Sequence, residues 1–418
     1  MSFRFVGKLL KFTNANVAKH AAWMMSGAVI QAAAAFATNL VLVRVLLPED
    51  FGRFAIVMAN IGLAQSIVSV PIGTVVLRAS EEELEQKLSL YAAVNIIQNV
   101  TVLVIASSVL LSIQKFDLRA ILLLISFISS NWISVQMNLY ERRFVYGKLS
   151  ILETLAHLLG HIFAIVGALS GIGSVVLYGR ELVRQISLIL GLRYLNGLQS
   201  IKLRWLRLED WKELLKTIHG FWLDGFLESS FGRLVILTVG SLSGEAGAGY
   251  FFQAQRLAII PHQFLQPVTQ RLAINYFSHK SSHDKQTKHL AKGLMSLSGI
   301  LLLAVIIIRL GAPTVIPVVF GDSWRPVIPI LIAMLGFVLC ATMFNLLKGY
   351  CIATKNLKTL IVLGRSGQYL GFLSVATLVS ILDYEPSVGL AFGLSLGYLL
   401  AAVSLTLKIF SKKEYSLL

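Results

Sequence analysis

The chain has 418 residues, 56% of them hydrophobic and only 14% charged, with a mean hydropathy of +0.74. No water-soluble fold this apolar could cover its surface with polar atoms, and apolar runs of about 20 residues, the span of a bilayer core, recur along the whole length. The net charge of +16 would suggest nucleic acid in a soluble chain, but Lys and Arg alternate between connecting segments and form no stripe, which excludes DNA or RNA as a partner.

In chain order, the amino end MSFRFVGKLLKFTNANVAKH is basic and too polar for a cleavable signal. The run that follows at 21–47 is too long for one, so it reads as an uncleaved signal-anchor. A second span is expected at 54–77, after Pro48-Glu49-Asp50-Phe51-Gly52, a turn that caps and starts a helix. Spans at 88–113 and 120–139 follow. Those at 151–170 and 172–195 are joined so tightly at Gly171 that they must be antiparallel neighbours. The stretch 196–220 is the longest cytoplasmic connection. In its LEDWKELLKTI segment Leu208, Trp211, Leu214 and Leu215 share a face that suits the membrane surface. The remaining spans are expected at 221–242, 250–274, 290–312, 327–347, 359–382 and 388–410, with only the stretch near 310–326 longer than a turn. Pro71, Pro261 and Pro267 are expected to kink their helices. The fold class is therefore all-α: a polytopic membrane protein of about twelve transmembrane helices. Residues 1–195 and 221–418 form two six-helix bundles, with 196–220 the cytoplasmic linker.

Charge sets the orientation. The amino end carries Arg4, Lys8, Lys11 and Lys19, and the even-numbered connections carry most of the remaining loop cations, including Arg78, Lys87, Arg142, Arg143, Lys148, Lys202, Arg204, Lys280, Lys285, Lys348 and Lys355. The opposite side holds Arg44, Arg53, Lys115, Arg119, Arg309 and Arg325. Both termini are thus expected in the cytoplasm. His20 and Trp23 open the first span as His219 and Trp222 open the seventh, and each first helix ends in an acidic turn (Glu49-Asp50; Glu245) before an aromatic-rich helix start. This weak repeat relates the halves by a pseudo-two-fold axis along the membrane normal.

At these turns the sequence resembles the polysaccharide flippases of the Wzx type, within the superfamily of multidrug and oligosaccharidyl-lipid exporters. The resemblance rests on LVRVLLPEDFGRFAIV (42–57), PIGTVVLR (71–78), GAGYFFQAQRLAIIP (247–261) and FGDSW (320–324). It departs from the family at QRLAINYFSH, where the eighth helix lacks an expected Pro. The resemblance implies a flippase that moves an undecaprenyl-pyrophosphate-linked oligosaccharide, such as an O-antigen repeat unit of lipopolysaccharide, from the cytoplasmic to the periplasmic leaflet of the bacterial inner membrane. It implies two bundles rocking around a central cavity, coupling to a proton or sodium gradient as an antiporter, and a polysaccharide polymerase and chain-length regulator as partners.

Ionisable groups inside spans carry the independent evidence. An Arg at bilayer depth costs roughly 2.5–3.5 kcal/mol, so it needs a partner or water. Arg180, Arg184, Arg233, Arg256, Arg271 and Arg365 lie within spans, against Glu153, Glu181, Asp224 and Glu228. The cationic excess points to an anionic cargo and makes these six arginines candidate phosphate contacts. Arg180 and Arg184 share a helix face; they form either a pyrophosphate clamp or a structural pair with Glu181. Arg256, one turn after the aromatic start of the eighth helix, occupies the family's basic position, where it contacts cargo or snorkels to headgroups. Arg271 and Arg365 are placed to guide the lipid phosphate in from the cytoplasm. Asp224 and Glu228 share a face, either as a site for a coupling proton or sodium ion or as neutralising partners for a neighbouring Arg. Tyr250, Phe251 and Phe252 read as an interfacial belt. His157 and His161, four apart, read as helix packing with no metal site, since nothing near them has ligand character. Cys340 and Cys351 would stand about 16 Å apart on a helix, too far to bridge.

No residues qualify as catalytic, no nucleotide-binding loop is present, and no cofactor is expected beyond the coupling ion. A multidrug exporter of the same superfamily would favour an acidic cavity. A membrane-embedded polymerase or ligase would need a larger periplasmic loop than these connections supply.

Overall fold

The computed structural model describes residues 15–68, 70, 72, 73, 76, 79–142, 146–198, 208–266, 269, 277, 283–382 and 384–411, with side chains described except at 15–25, 146, 208–221 and 283–285. Every regular element among the described residues is helical: α1 (Ala15–Val45), α2 (Pro48–Val68), α3 (Glu81–Ser112), α4 (Leu118–Glu141), α5 (Tyr146–Leu169), α6 (Val175–Tyr194), α7 (Leu208–Ala258), α8 (His283–Phe320), a 3-10 turn (Asp322–Trp324), α9 (Val327–Ala333), α10 (Leu335–Ala353), α11 (Leu357–Thr359), a π-helical turn (Leu360–Arg365), α12 (Ser366–Leu382) and α13 (Pro386–Ser411).

Among the described residues, 9 helices are long and apolar enough to cross a membrane. The expected spans map onto these and onto shorter pieces. α7 is 51 residues long but broken at Gly244, which has φ 70° and ψ −169°, so the seventh and eighth spans meet there. α6 is diluted by its own Arg and Glu residues, and the tenth and eleventh spans are divided between α9 and α10 and between the π-turn and α12. Large apolar side chains such as Leu303, Ile307 and Leu310 on α8 stay exposed, as lipid-facing residues do. The chain is a polytopic, all-helical membrane protein.

Three local expectations change. The loop expected near 310–326 is mostly helix, because α8 continues through Pro313 and Pro317 to Phe320; a membrane helix can absorb the lost bond of an internal Pro. The amphipathic segment at 208–218 is no separate surface helix, since α7 starts at Leu208 and runs on into the seventh span. Phe251 is fully buried, so it packs in the core and is no part of an interfacial belt, while Tyr250 and Phe252 remain partly exposed. Pro71 and Pro267, like Arg78, Arg143, Lys202 and Arg204, lie outside the described residues.

The chain divides into two compact units, Met1–Leu46 with Val68–His219, and Leu47–Ile67 with Gly220–Leu418. α2 belongs to the second, so the units are not consecutive blocks of sequence.

In the first unit, Gly171 (φ 80°) and Gly173 (φ 72°) make the tight link from α5 to α6 that the sequence led us to expect. Side chains of one helix fill the glycine gaps of the other: Phe163 covers Gly179, and Leu152 covers Gly191. α3 starts with a full capping box between Ser80 and Glu83. Arg142, at the end of α4, donates to the carbonyls of Val76 and Ala79 at 2.8 and 2.7 Å and pairs with Glu81, so it satisfies acceptors left by the end of the preceding turn. An amide network of Asn95, Asn99 and Asn131 joins α3 to α4.

The second unit contains two close-packed seams. At the first, three of the four family-like stretches converge on Trp324, which is fully buried: Phe51, Tyr250 and Phe320 meet its ring edge-on at 5.4, 5.9 and 6.4 Å. Beside it, Gly52 faces the carbonyl of Glu245, and Gly249 faces that of Pro48, with no room for a β-carbon at either position. A rigid carbonyl cannot yield as a side chain can, so Gly52→Ala should cost about 1–3 kcal/mol. A lower unfolding midpoint in detergent, with unchanged helix content by circular dichroism, is the expected readout.

At the second seam, Gly389, Gly393 and Gly397 of α13 take α12 into close contact, Gly371 against Gly397 and Val375 against Gly393, a small-residue interface that packing in lipid favours. The break between α9 and α10 is sealed by Ser395, whose hydroxyl donates to the Ala333 carbonyl at 2.7 Å and accepts from the Phe337 amide at 3.1 Å.

Candidate functional site

Among the described residues, each unit holds one cluster of the ionisable groups expected within spans, with Arg233 and Arg256 standing apart. In the second unit, α7 presents Asp224 and Glu228 one turn apart. The π-helical turn Leu360–Arg365 ends on Arg365, and such a turn re-aims the side chains that follow it. Arg365 is 2% exposed. Its Nε donates to Asp224 Oδ1 at 2.8 Å, its Nη1 to Gln368 Oε1 at 3.2 Å, and its Nη2 lies 3.1 Å from Glu228 Oε2. Phe344 stacks beneath the guanidinium at 5.4 Å. Lys348 Nζ donates to Glu228 Oε1 at 2.6 Å.

Two cations and two carboxylates thus neutralise one another, but unevenly. Side-chain exposure is 3% for Arg365, 11% for Asp224 and 8% for Lys348, against 43% for Glu228. Next to the ions, Tyr369 donates to the Leu227 carbonyl at 2.9 Å and meets Ser230 at 2.7 Å, fixing α12 to α7.

Lys348 belongs to this site although its sequence position suggested a cytoplasmic loop. It is buried inside α10, because the apolar run does not end there: Gly349-Tyr350-Cys351-Ile352-Ala353 carries the helix onward. Thr342, Asn345 and Lys348 stand at successive turns and are all buried. The first two contact His262 at 3.1 and 3.3 Å, so a polar stripe runs along α10.

The first unit's cluster is more open. Glu181 on α6 takes both neighbouring guanidiniums, Arg180 Nη2 at 2.7 Å and Arg184 Nη2 at 3.0 Å. Arg184 Nη1 also lies 3.4 Å from His157 Nε2, and the His157 and His161 rings stack at 6.4 Å. Arg184 Nε is buried without an acceptor among the described residues. Arg180 and Arg184 keep 21% and 26% of their side chains exposed. One carboxylate is ion-paired with the two guanidiniums, and Glu153 on α5 also interacts electrostatically with Arg184.

Arg233, on α7 one helical turn from Ser229, donates to the Ser229 carbonyl and lies against Gly62 of α2. Among the described residues no carboxylate lies within ion-pair distance of it. Arg256 lies 5.7 Å over the Phe252 ring. Arg271 is outside the described residues.

The five described arginines therefore stand in different states. Arg365 is locked by Asp224, Arg180 and Arg184 share Glu181, Arg233 has only a backbone acceptor, and Arg256 packs on an aromatic ring. Asp224 and Glu228 both carry basic partners.

Comparison with known proteins agrees with this architecture. An inward-facing multidrug resistance MATE family transporter of the MOP superfamily superposes with a TM-score of 0.58 at 18% identity, covering 91% of this chain and 94% of that one. The lipid II flippase MurJ in an inward closed conformation gives 0.63 at 15% identity, covering 93% and 87%. A MOP superfamily transporter from Pyrococcus furiosus, described by a binding pocket of reverse polarity that suggests a different function, gives 0.53 at 16% identity, covering 95% of each chain. Curated proteins yield no match. At these identities the superpositions establish the fold. The family profile described as "Polysaccharide biosynthesis protein" matches residues 41–329, most of the chain, and the chain belongs to that family.

Proposed function

We propose that this protein is a flippase that moves an undecaprenyl-pyrophosphate-linked oligosaccharide from the cytoplasmic to the periplasmic leaflet of a bacterial inner membrane, by alternating access and with both termini in the cytoplasm. The observation that carries this reading is electrostatic: among the described residues, Arg180 and Arg184 on α6 and Arg233 on α7 have one ion-paired carboxylate, Glu181, among them. Guanidinium groups held in oil with spare donors favour phosphate oxygens over a cationic drug. Membership of a polysaccharide biosynthesis family and a structural neighbour named as a lipid II flippase support a lipid-linked glycan.

In this reading no bond of the cargo is made or broken. Arg180 and Arg184 in the first unit, and Arg233 in the second, would each offer donors to the pyrophosphate while the sugar crosses. Arg256 and Arg271 would contact the phosphate near the two membrane surfaces, Arg365 would be held in place by Asp224 with a donor to spare for the phosphate, and Glu228 would take up the coupling proton or sodium ion beside Asp224. Glu228 suits that role better, since Asp224 is enclosed with Arg365 and Glu228 is the accessible carboxylate. A polymerase acting on the exported units would be the downstream partner.

The test is reconstitution. Proteoliposomes carrying a fluorescent undecaprenyl-pyrophosphate oligosaccharide should expose the inner-leaflet pool to an external quencher at a rate that depends on the protein. Glu228→Gln should abolish the response of that rate to an imposed proton or sodium gradient. An unchanged response would remove Glu228 from coupling.

A further inference from the structure

Resting on that reading, the second unit's cluster contains more than a neutral ion pair. Lys348 and Arg365 are both buried, yet their donors outnumber the acceptors around them among the described residues. Lys348 has three N–H bonds and Arg365 five. The acceptors are the two Glu228 oxygens, Asp224 Oδ1 and Gln368 Oε1. Arg365 Nη2 makes an ion-pair approach to Glu228 but no hydrogen bond, and it is buried. An unmet donor on a group 2% exposed is costly unless some state of the protein satisfies it.

The acids are not equivalent. Asp224 is enclosed with Arg365, whereas Glu228 bridges both cations while 43% of its side chain remains exposed. It is the one member of the cluster that can swing out without carrying a buried charge with it. A carboxylate presents two oxygens to the cations; a diphosphate linked at both ends presents four non-bridging oxygens, two on each phosphorus, enough to replace both Glu228 oxygens and meet the unmet donor as well.

We propose that Glu228 is an internal stand-in for the cargo's phosphate. It covers Lys348 and Arg365 when the site is empty and yields them to a phosphate group on binding, so that Lys348 is a phosphate-contacting residue and Glu228 its competitor. Asp224 stays on Arg365 throughout and keeps the guanidinium in place. The displaced Glu228 carboxylate, no longer held by two cations, becomes the better acceptor for a cation, which links cargo occupancy to cation uptake at one side chain.

The experiment measures binding of farnesyl diphosphate, with farnesol as the control for the hydrocarbon chain, to the purified full-length protein in detergent. Glu228→Gln removes the competing charge at nearly constant volume and should tighten farnesyl diphosphate binding about tenfold, with farnesol unaffected. Glu228→Gln combined with Lys348→Gln, in which no charge is left unpaired, should lose that gain and bind no tighter than the parent. Unfolding midpoints of both variants verify that the fold persists. If the parent binds farnesyl diphosphate but Glu228→Gln binds it equally or more weakly, the stand-in role is wrong and the diphosphate reading survives. If the parent binds farnesyl diphosphate no better than farnesol, both fail.

Discussion

Arg184→Ala and Arg233→Ala variants should insert and unfold like the parent protein but flip lipid-linked cargo roughly 10- to 100-fold more slowly each, the loss expected when a charge-assisted hydrogen bond of about 1.5–3 kcal/mol to a phosphate is removed. Stability should survive because neither change orphans an acid. Glu181 keeps Arg180 at 2.7 Å when Arg184 is gone, and Arg233 has a backbone carbonyl as its bonded partner. The measurement is the rate at which labelled cargo becomes accessible across proteoliposomes, together with the unfolding midpoint. Normal flipping with both substitutions present would remove these residues from the cargo path.

The opposite pattern is expected at Arg365. Arg365→Ala leaves Asp224, which is buried, without its guanidinium partner, and breaking one side of a buried pair costs about 3–5 kcal/mol. The variant should unfold at a clearly lower temperature in detergent and accumulate poorly. Removing both charges with Asp224→Asn and Arg365→Gln should recover much of that loss, because the penalty comes from the unpaired charge and not from the absent bond. A thermal double-mutant cycle checks this. Strictly additive losses would mean that the pair is not coupled, and an Arg365→Ala variant as stable as the parent would mean that buried Asp224 does not depend on it.

Hydropathy alone located the helices because lipid imposes one length and one composition on any segment that crosses it. The tight α5–α6 link was legible for a similar reason, since Gly171 leaves no residues for any other geometry. What the chain could not reveal locally are the partners of buried charges. Asp224 and Arg365 are 141 positions apart, and nothing in either segment marks the other. Lys348 was misplaced because a Lys near the end of an apolar run usually belongs to the loop, although the apolar residues continuing to Ala353 were a usable signal. The family-like stretches were informative about kinship, and in the structure Phe51, Tyr250 and Trp324 meet as packing, with the glycines beside them allowing close approach.

The most direct test of the central claim is a comparison of two cargoes in the same proteoliposomes: an undecaprenyl-pyrophosphate-linked oligosaccharide and a lipophilic cationic drug. Protein-dependent movement of the first but not the second, lost when Arg184 and Arg233 are both replaced by Ala, is the expected result. Movement of the cation, with the pyrophosphate-linked lipid left where it was inserted, would contradict it.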